Sequence, residues 1–104
     1  MNSKNISILS DAVTDLKQGK DFYESQQSGI GSYFWDCLLS DIESLVVYSG
    51  IHKKEYGYYK MLSKRFPYAI YYDVNNNTNY VVAILPMRKN PDWIEGRLNS
   101  KQNY

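Results

Sequence analysis

Six cations and three phenols in the second half of the chain are the residues best suited to chemistry: Lys60, Lys64, Arg65, Arg88, Lys89 and Arg97, with Tyr59, Tyr68 and Tyr71. Basic groups stabilise charge developing on a phosphate, and a phenol or imidazole can move a proton from a ribose 2′-hydroxyl. RNA cleavage by Lys60, Arg65 and Arg88 with Tyr71 requires strands over 57–65 and 80–86 to flank a middle strand and bring the three cations together. The single histidine, His52, precedes these strands in "SGIHKKEYG" and reads as a solvated loop residue. The other arrangement is a docking patch. Arg88, Lys89, Trp93 and Arg97 crowd into "RKNPDWIEGRL", and tryptophan and arginine dominate the energetics of protein interfaces. Such a patch binds without breaking bonds. Two plainer readings stand beside it, with Trp93 folded back as a lid on the sheet edge and Arg88 a solvated surface charge.

The chain sets bounds on both. At 104 residues it is one domain over 1–104, large enough for a single core. Its one cysteine, Cys37, excludes an internal disulfide and a cysteine-rich zinc site, and it lies among apolar residues as a packing residue. No motif calls for a cofactor or a metal. The opening "MNSKNISILS" holds no apolar run of signal-peptide length, and no 18 consecutive apolar residues occur, so a soluble, cytoplasmic protein without a membrane partner is expected. Charge is uneven: residues 1–50 carry three Lys/Arg against seven Asp/Glu, and residues 51–104 carry nine against four. A basic second half favours a polyanion or an acidic partner, while the whole-chain charge of +1 argues against sequence-independent DNA binding.

The elements that must position these residues run from helices to strands. Ile6 and Ile8 alternate with polar neighbours, as in a short first strand. "SDAVTDL" opens a helix, with Ser10 or Asp11 as the cap and Asp11 and Asp15 near the positive end of its dipole. Ala12, Leu16, Gly19 or Lys20, and Tyr23 keep helical spacing until Gly29 and Gly31 mark a turn. A second helix fits 32–48, with Phe34, Leu38, Ile42, Leu45 and Val46 as its stripe. From Gly57 the pattern becomes strands: "YYKMLSKRF", "YAIYYDV" and "YVVAILP". "NNNTN" reads as a hairpin connection longer than two residues. Phe66, Tyr68, Ile70, Tyr72 and Val74 share the face that covers the helices, and the opposite face meets solvent. Pro86 ends the last strand, Asn90 before Pro91 starts a short terminal helix or arm, and residues from about 99 to 104 form a frayed tail. The order β-α-α-β-β-β makes an α+β fold, a helical hairpin packed on a small twisted antiparallel sheet.

"DAVTDL" at the first helix, "KRFPYAIYY" in mid-sheet and "RKNPDWIEGRL" after the last strand together resemble the RelE/ParE superfamily of toxins from bacterial type II toxin–antitoxin systems. The likeness spans roughly residues 5–98. It implies a helical hairpin on an antiparallel sheet that the first strand joins. It also implies a growth-inhibiting toxin restrained by a cognate antitoxin, which adds to the sheet and buries apolar grooves.

Two branches of that superfamily differ in chemistry. The RelE branch cuts messenger RNA on the ribosome and needs converging catalytic groups. The ParE branch poisons DNA gyrase and needs only a surface. This chain has Pro86 where relatives often place a histidine two residues before the arginine. It has lysine or tyrosine in "YYKMLSKRF" where they often have arginine, and no tyrosine in 91–98; Tyr104 is the only later one. The segment "RKNPDWIEGRL" is similar to the gyrase-directed branch, so the expectation is a ParE-like toxin that is not an enzyme. The alternatives are a ribosome-dependent endoribonuclease and a non-toxic adaptor that keeps only the antitoxin-binding surface.

Overall fold

A computed structural model describes residues 4–100; of the tail expected over about 99–104, residues 101–104, with Tyr104, lie outside the described residues. The elements are β1 (Asn5–Ile8), α1 (Ser10–Gln26), α2 (Ile30–Glu43), α3 (Leu45–Tyr48), β2 (Lys54–Glu55), β3 (Tyr58–Leu62), β4 (Tyr68–Asn75), β5 (Thr78–Pro86) and α4 (Pro91–Asn99). Asn99 therefore ends a helix rather than beginning a tail.

The first helix starts without the expected cap. Neither Ser10 nor Asp11 takes that role; Leu9 holds the cap position in extended conformation with no side-chain cap bond. The chain enters the helix straight from a strand, and Leu9 N still donates to Val81 O at 3.0 Å. Its neighbour is capped in a less local way. The Glu24 carboxylate on α1 accepts from Gly29 N and Gly31 N, each at 2.9 Å, and so satisfies free amides at the start of α2. The Gly29 amide foremost, then that of Gly31, holds the Glu24 carboxyl below its usual value.

Gly29 does mark the turn, with φ of 92°. Gly31 does not; it lies inside α2 where the two helices touch. A Cβ there would sit 2.6 Å from the Lys20 carbonyl oxygen, a backbone atom that cannot swing away. Gly31→Ala should therefore destabilise by about 1–2 kcal/mol net, because a clash with backbone puts overpacking in the upper part of its range, about 2–3, against a helix-propensity gain of about 1. A urea midpoint measures it, and an unchanged or higher midpoint would show that the helices separate freely.

The predicted second helix divides at Ser44, whose hydroxyl donates to Asp41 O at 2.6 Å and competes with the helical pattern.

The sheet has the order β1-β5-β4-β3-β2. Strands β2 to β5 are an antiparallel meander, but β1 pairs parallel to β5, with Ile8 opposite Val81. The five-stranded sheet is thus mixed where an antiparallel one was expected. The Asn connection is tighter than expected: Asn75 pairs with Thr78, and Asn76 and Asn77 (φ 49° and 63°) form the two-residue turn that matches sheet twist.

The helix-facing core joins Leu16, Phe34, Leu38 and Ile42 to Ile70, Tyr72, Val81 and Ile84, with Phe66 and Val74 packed against it. The face foreseen for the helices is the one they cover. The opposite face is not left to water. Leu98, with Ile94 beside it, packs on Ala69, Tyr71, Val82, Ala83 and Leu85. A register shift at Tyr71/Tyr72 sends Val82 and Ala83 to one face and Val81 and Ile84 to the other. That double burial explains the unbroken apolar run of β5. Fully buried Asn79 ties the margin together, donating to Asn5 O and Leu45 O and accepting from the Ser49 hydroxyl.

Candidate functional site

The site is built where β5 hands over to α4. The Asn90 side chain accepts from Trp93 N at 2.8 Å and Pro91 fills the first turn, so α4 begins abruptly after the strand. Its last turn is clamped to the core. Arg97 donates both arms of its guanidinium to Asp15 of α1, at 2.9 and 2.8 Å. Asp15 also accepts Ile84 N from β5 at 3.0 Å. One carboxylate thus joins α1, β5 and α4, and its bond to Arg97 raises the guanidinium pKa further.

Asp15 was legible only as a helix-dipole residue, although one signal pointed further. It shares the inward stripe with Ala12, Leu16 and Gly19, all of them buried. An acid on an apolar stripe calls for an internal partner.

Around this clamp lies a cleft of about 180 Å³, bordered by Phe22, Tyr68, Arg88, Lys89, Trp93 and Arg97. Lys89 Nζ stands 4.9 Å from the Trp93 ring centre and the Arg97 guanidinium 5.8 Å from it. The Arg88 guanidinium stands 5.1 Å from the ring of Phe22. Trp93 is 39% exposed, so it borders the cleft and also faces water. Burial raises the Tyr68 phenol above its ordinary value, as does nearby Tyr23, while Arg88 pulls the other way. The four residues expected to form a docking patch are therefore gathered on one rim. Arg97 is engaged internally, and neither Arg88 nor Lys89 pairs with a carboxylate among the described residues.

The residues considered for RNA cleavage do not converge. Lys60 lies opposite Tyr71 on β4 and pairs with Glu55 at 3.3 Å. Arg88 follows β5, whose Pro86 lies opposite Tyr68, three residues back along β4 and so roughly 10 Å away in strand rise. Arg65 sits in the β3–β4 loop and donates to the Tyr33 hydroxyl at 3.4 Å. Tyr71 is buried beneath α4, and burial, with Glu55 adding to it, pushes its phenol up to about 12. Such a phenol keeps its proton at neutral pH and is a poor general base.

His52 is not the solvated loop residue expected. Gly50 N donates to the Tyr72 hydroxyl at 3.0 Å, and that hydroxyl is hydrogen-bonded to His52 Nδ1. The hydroxyl can donate to Nδ1 of a neutral ring that carries its proton on Nε2, or accept from one that carries it on Nδ1, and in both cases the bond engages a neutral imidazole. Burial lowers the His52 pKa below 6.5. Because the folded value is the lower one, the neutral ring's contribution is complete above the unfolded pKa and is lost as pH falls through the folded value. Wild type should lose more thermal stability than His52→Gln between pH 7 and 5; parallel curves would contradict this bond.

Among the described residues no His, Cys, Asp or Glu cluster is placed to hold a metal, and no helix is long and apolar enough to cross a membrane.

A helical hairpin on one face of a twisted mixed sheet, with a short helix following the last strand, defines the RelE/ParE-like α+β fold. The chain is similar in structure to a chain of the chromosomal ParDE TA system from P. aeruginosa, with a TM-score of 0.73 at 14% identity, covering 83% of this chain and 98% of that one. No protein-family model and no curated protein matches the sequence.

Proposed function

We propose that this protein is the toxin of a type II toxin–antitoxin pair, of ParE type, which arrests growth by binding DNA gyrase and is neutralised by a cognate antitoxin. The observation that carries the reading is the rim of the α4 cleft, where Arg88 and Lys89 have no carboxylate partner among the described residues and flank the rings of Phe22 and Trp93. Cations held against aromatic faces are suited to an acidic, partly apolar protein surface. The similarity to the ParDE system supports a partner protein. Separation of Lys60, Arg65 and Arg88, with Tyr71 buried and neutral, speaks against the endoribonuclease.

Induced expression tests this. Growth should stop when the chain is made alone and recover when the small protein encoded beside it is made too. Unimpaired growth with a stable complex would point to the adaptor instead, and cleaved ribosome-bound message to the endoribonuclease.

A further inference from the structure

A second recess lies away from the α4 cleft, where the end of α2 and α3 meet β3. It has a volume of about 380 Å³ and is walled by Tyr48, Ile51, Met61 and Leu62, with His52 and Lys64 at its margin. That volume is within the range of about 300–1,000 Å³ typical of clefts that hold organic ligands. Its walls are unusual for a protein surface: Ile51 is 71% exposed, Tyr48 54% and Leu62 53%. Three large apolar side chains around one recess signal a contact surface rather than scattered exposure.

The surroundings define what fits. The one acid in the lining, Asp41, is buried and already accepts the Ser63 hydroxyl at 2.7 Å and Lys64 N at 3.3 Å. It forms no ion pair with the Lys64 ammonium. Beyond His52, the Lys54 ammonium lies 4.8 Å from the Tyr59 ring centre, and the Glu55 carboxylate is paired with Lys60 rather than Lys64. Lys64 is therefore a rim cation without a carboxylate partner among the described residues, and an acidic occupant would complement it. The sheet edge is also short here: β2 pairs with β3 only at Tyr58 and Tyr59, with Lys60 N donating to Lys53 O, and ends before Met61 and Leu62.

We propose that this recess is an antitoxin-anchoring site, which takes a bulky apolar side chain from an antitoxin segment whose neighbouring carboxylate meets Lys64. The inference rests on the toxin–antitoxin reading above but concerns a surface separate from the cleft given to gyrase.

The test uses the full chain, its Ile51→Asp/Leu62→Asp variant, and Lys64→Glu as a second variant should the first fail to fold. The probe is the small protein encoded beside the chain, titrated calorimetrically. Binding by Ile51→Asp/Leu62→Asp should be at least about 100-fold weaker, and by Lys64→Glu about tenfold weaker, as for loss of an apolar anchor and of one rim charge. Growth arrest by each variant alone should match wild type, and the antitoxin should no longer relieve it. Affinities within twofold of wild type would overturn the anchoring site while leaving the toxin reading intact. A wild-type chain that binds the probe but never arrests growth, with binding still lost in the variants, would keep this site and remove the toxin. A wild-type chain that does not bind the probe overturns both.

Discussion

Asp15→Ala is expected to lower the unfolding free energy by about 3 kcal/mol. The carboxylate is 6% exposed and accepts three hydrogen bonds, two from Arg97 and one from Ile84 N. Truncation leaves the Ile84 amide without its acceptor, which costs about 1–3 kcal/mol. It also removes a charge-assisted pair. Breaking a fully buried pair costs about 3–5 kcal/mol, but the Arg97 side chain is 26% exposed and can turn to water, so only part of that applies. For a domain of this size 3 kcal/mol corresponds to a fall in Tm on the order of 15 °C. Asp15→Asn keeps an acceptor for Ile84 and should lose about half as much. Near-wild-type melting of Asp15→Ala would mean that α4 is held by Ile94 and Leu98 alone.

The second large effect is functional. Arg88→Ala with Trp93→Ala should weaken target binding by about 4 kcal/mol, roughly a thousandfold, if each is an interface anchor worth about 2 kcal/mol. Neither should much alter folding. Arg88 stacks on a Phe22 ring that is itself 42% exposed, and Trp93 lies at the outer rim. Lys89→Ala should cost less, because an exposed ammonium over a ring contributes about 0.5–1 kcal/mol. Expression of the double variant should leave growth unaffected at levels of soluble protein at which wild type halts it. Full toxicity of a folded double variant would exclude this rim as the target surface.

Local and long-range contacts separate what the sequence could reveal from what it could not. The α stripes, the helix-facing side of β4 and the Asn90–Pro91 helix start depend on local spacing and capping, and those signals sit within a few residues. The direction of β1, the packing of α4 on Tyr71 and the Asp15–Arg97 clamp join residues far apart in the chain, for which periodicity carries no information. Gly31 shows the limit at short range: the same residue type serves a turn at Gly29 and a helix crossing two positions later, and only the distance to the Lys20 carbonyl distinguishes them. His52 is similar. Its placement in a loop was readable, but the Tyr72 hydroxyl that makes it structural lies 20 positions away. For the site, the clustering of Arg88, Lys89 and Trp93 was visible because all three fall within one short segment. The engagement of Arg97 was not.

Inhibition of DNA supercoiling by purified gyrase is the most direct measurement of the central claim. Wild-type protein should block supercoiling, and the Arg88→Ala/Trp93→Ala variant should need at least a hundredfold higher concentration. Supercoiling untouched by the wild-type chain, with message cleaved on ribosomes in a parallel reaction, would contradict the claim.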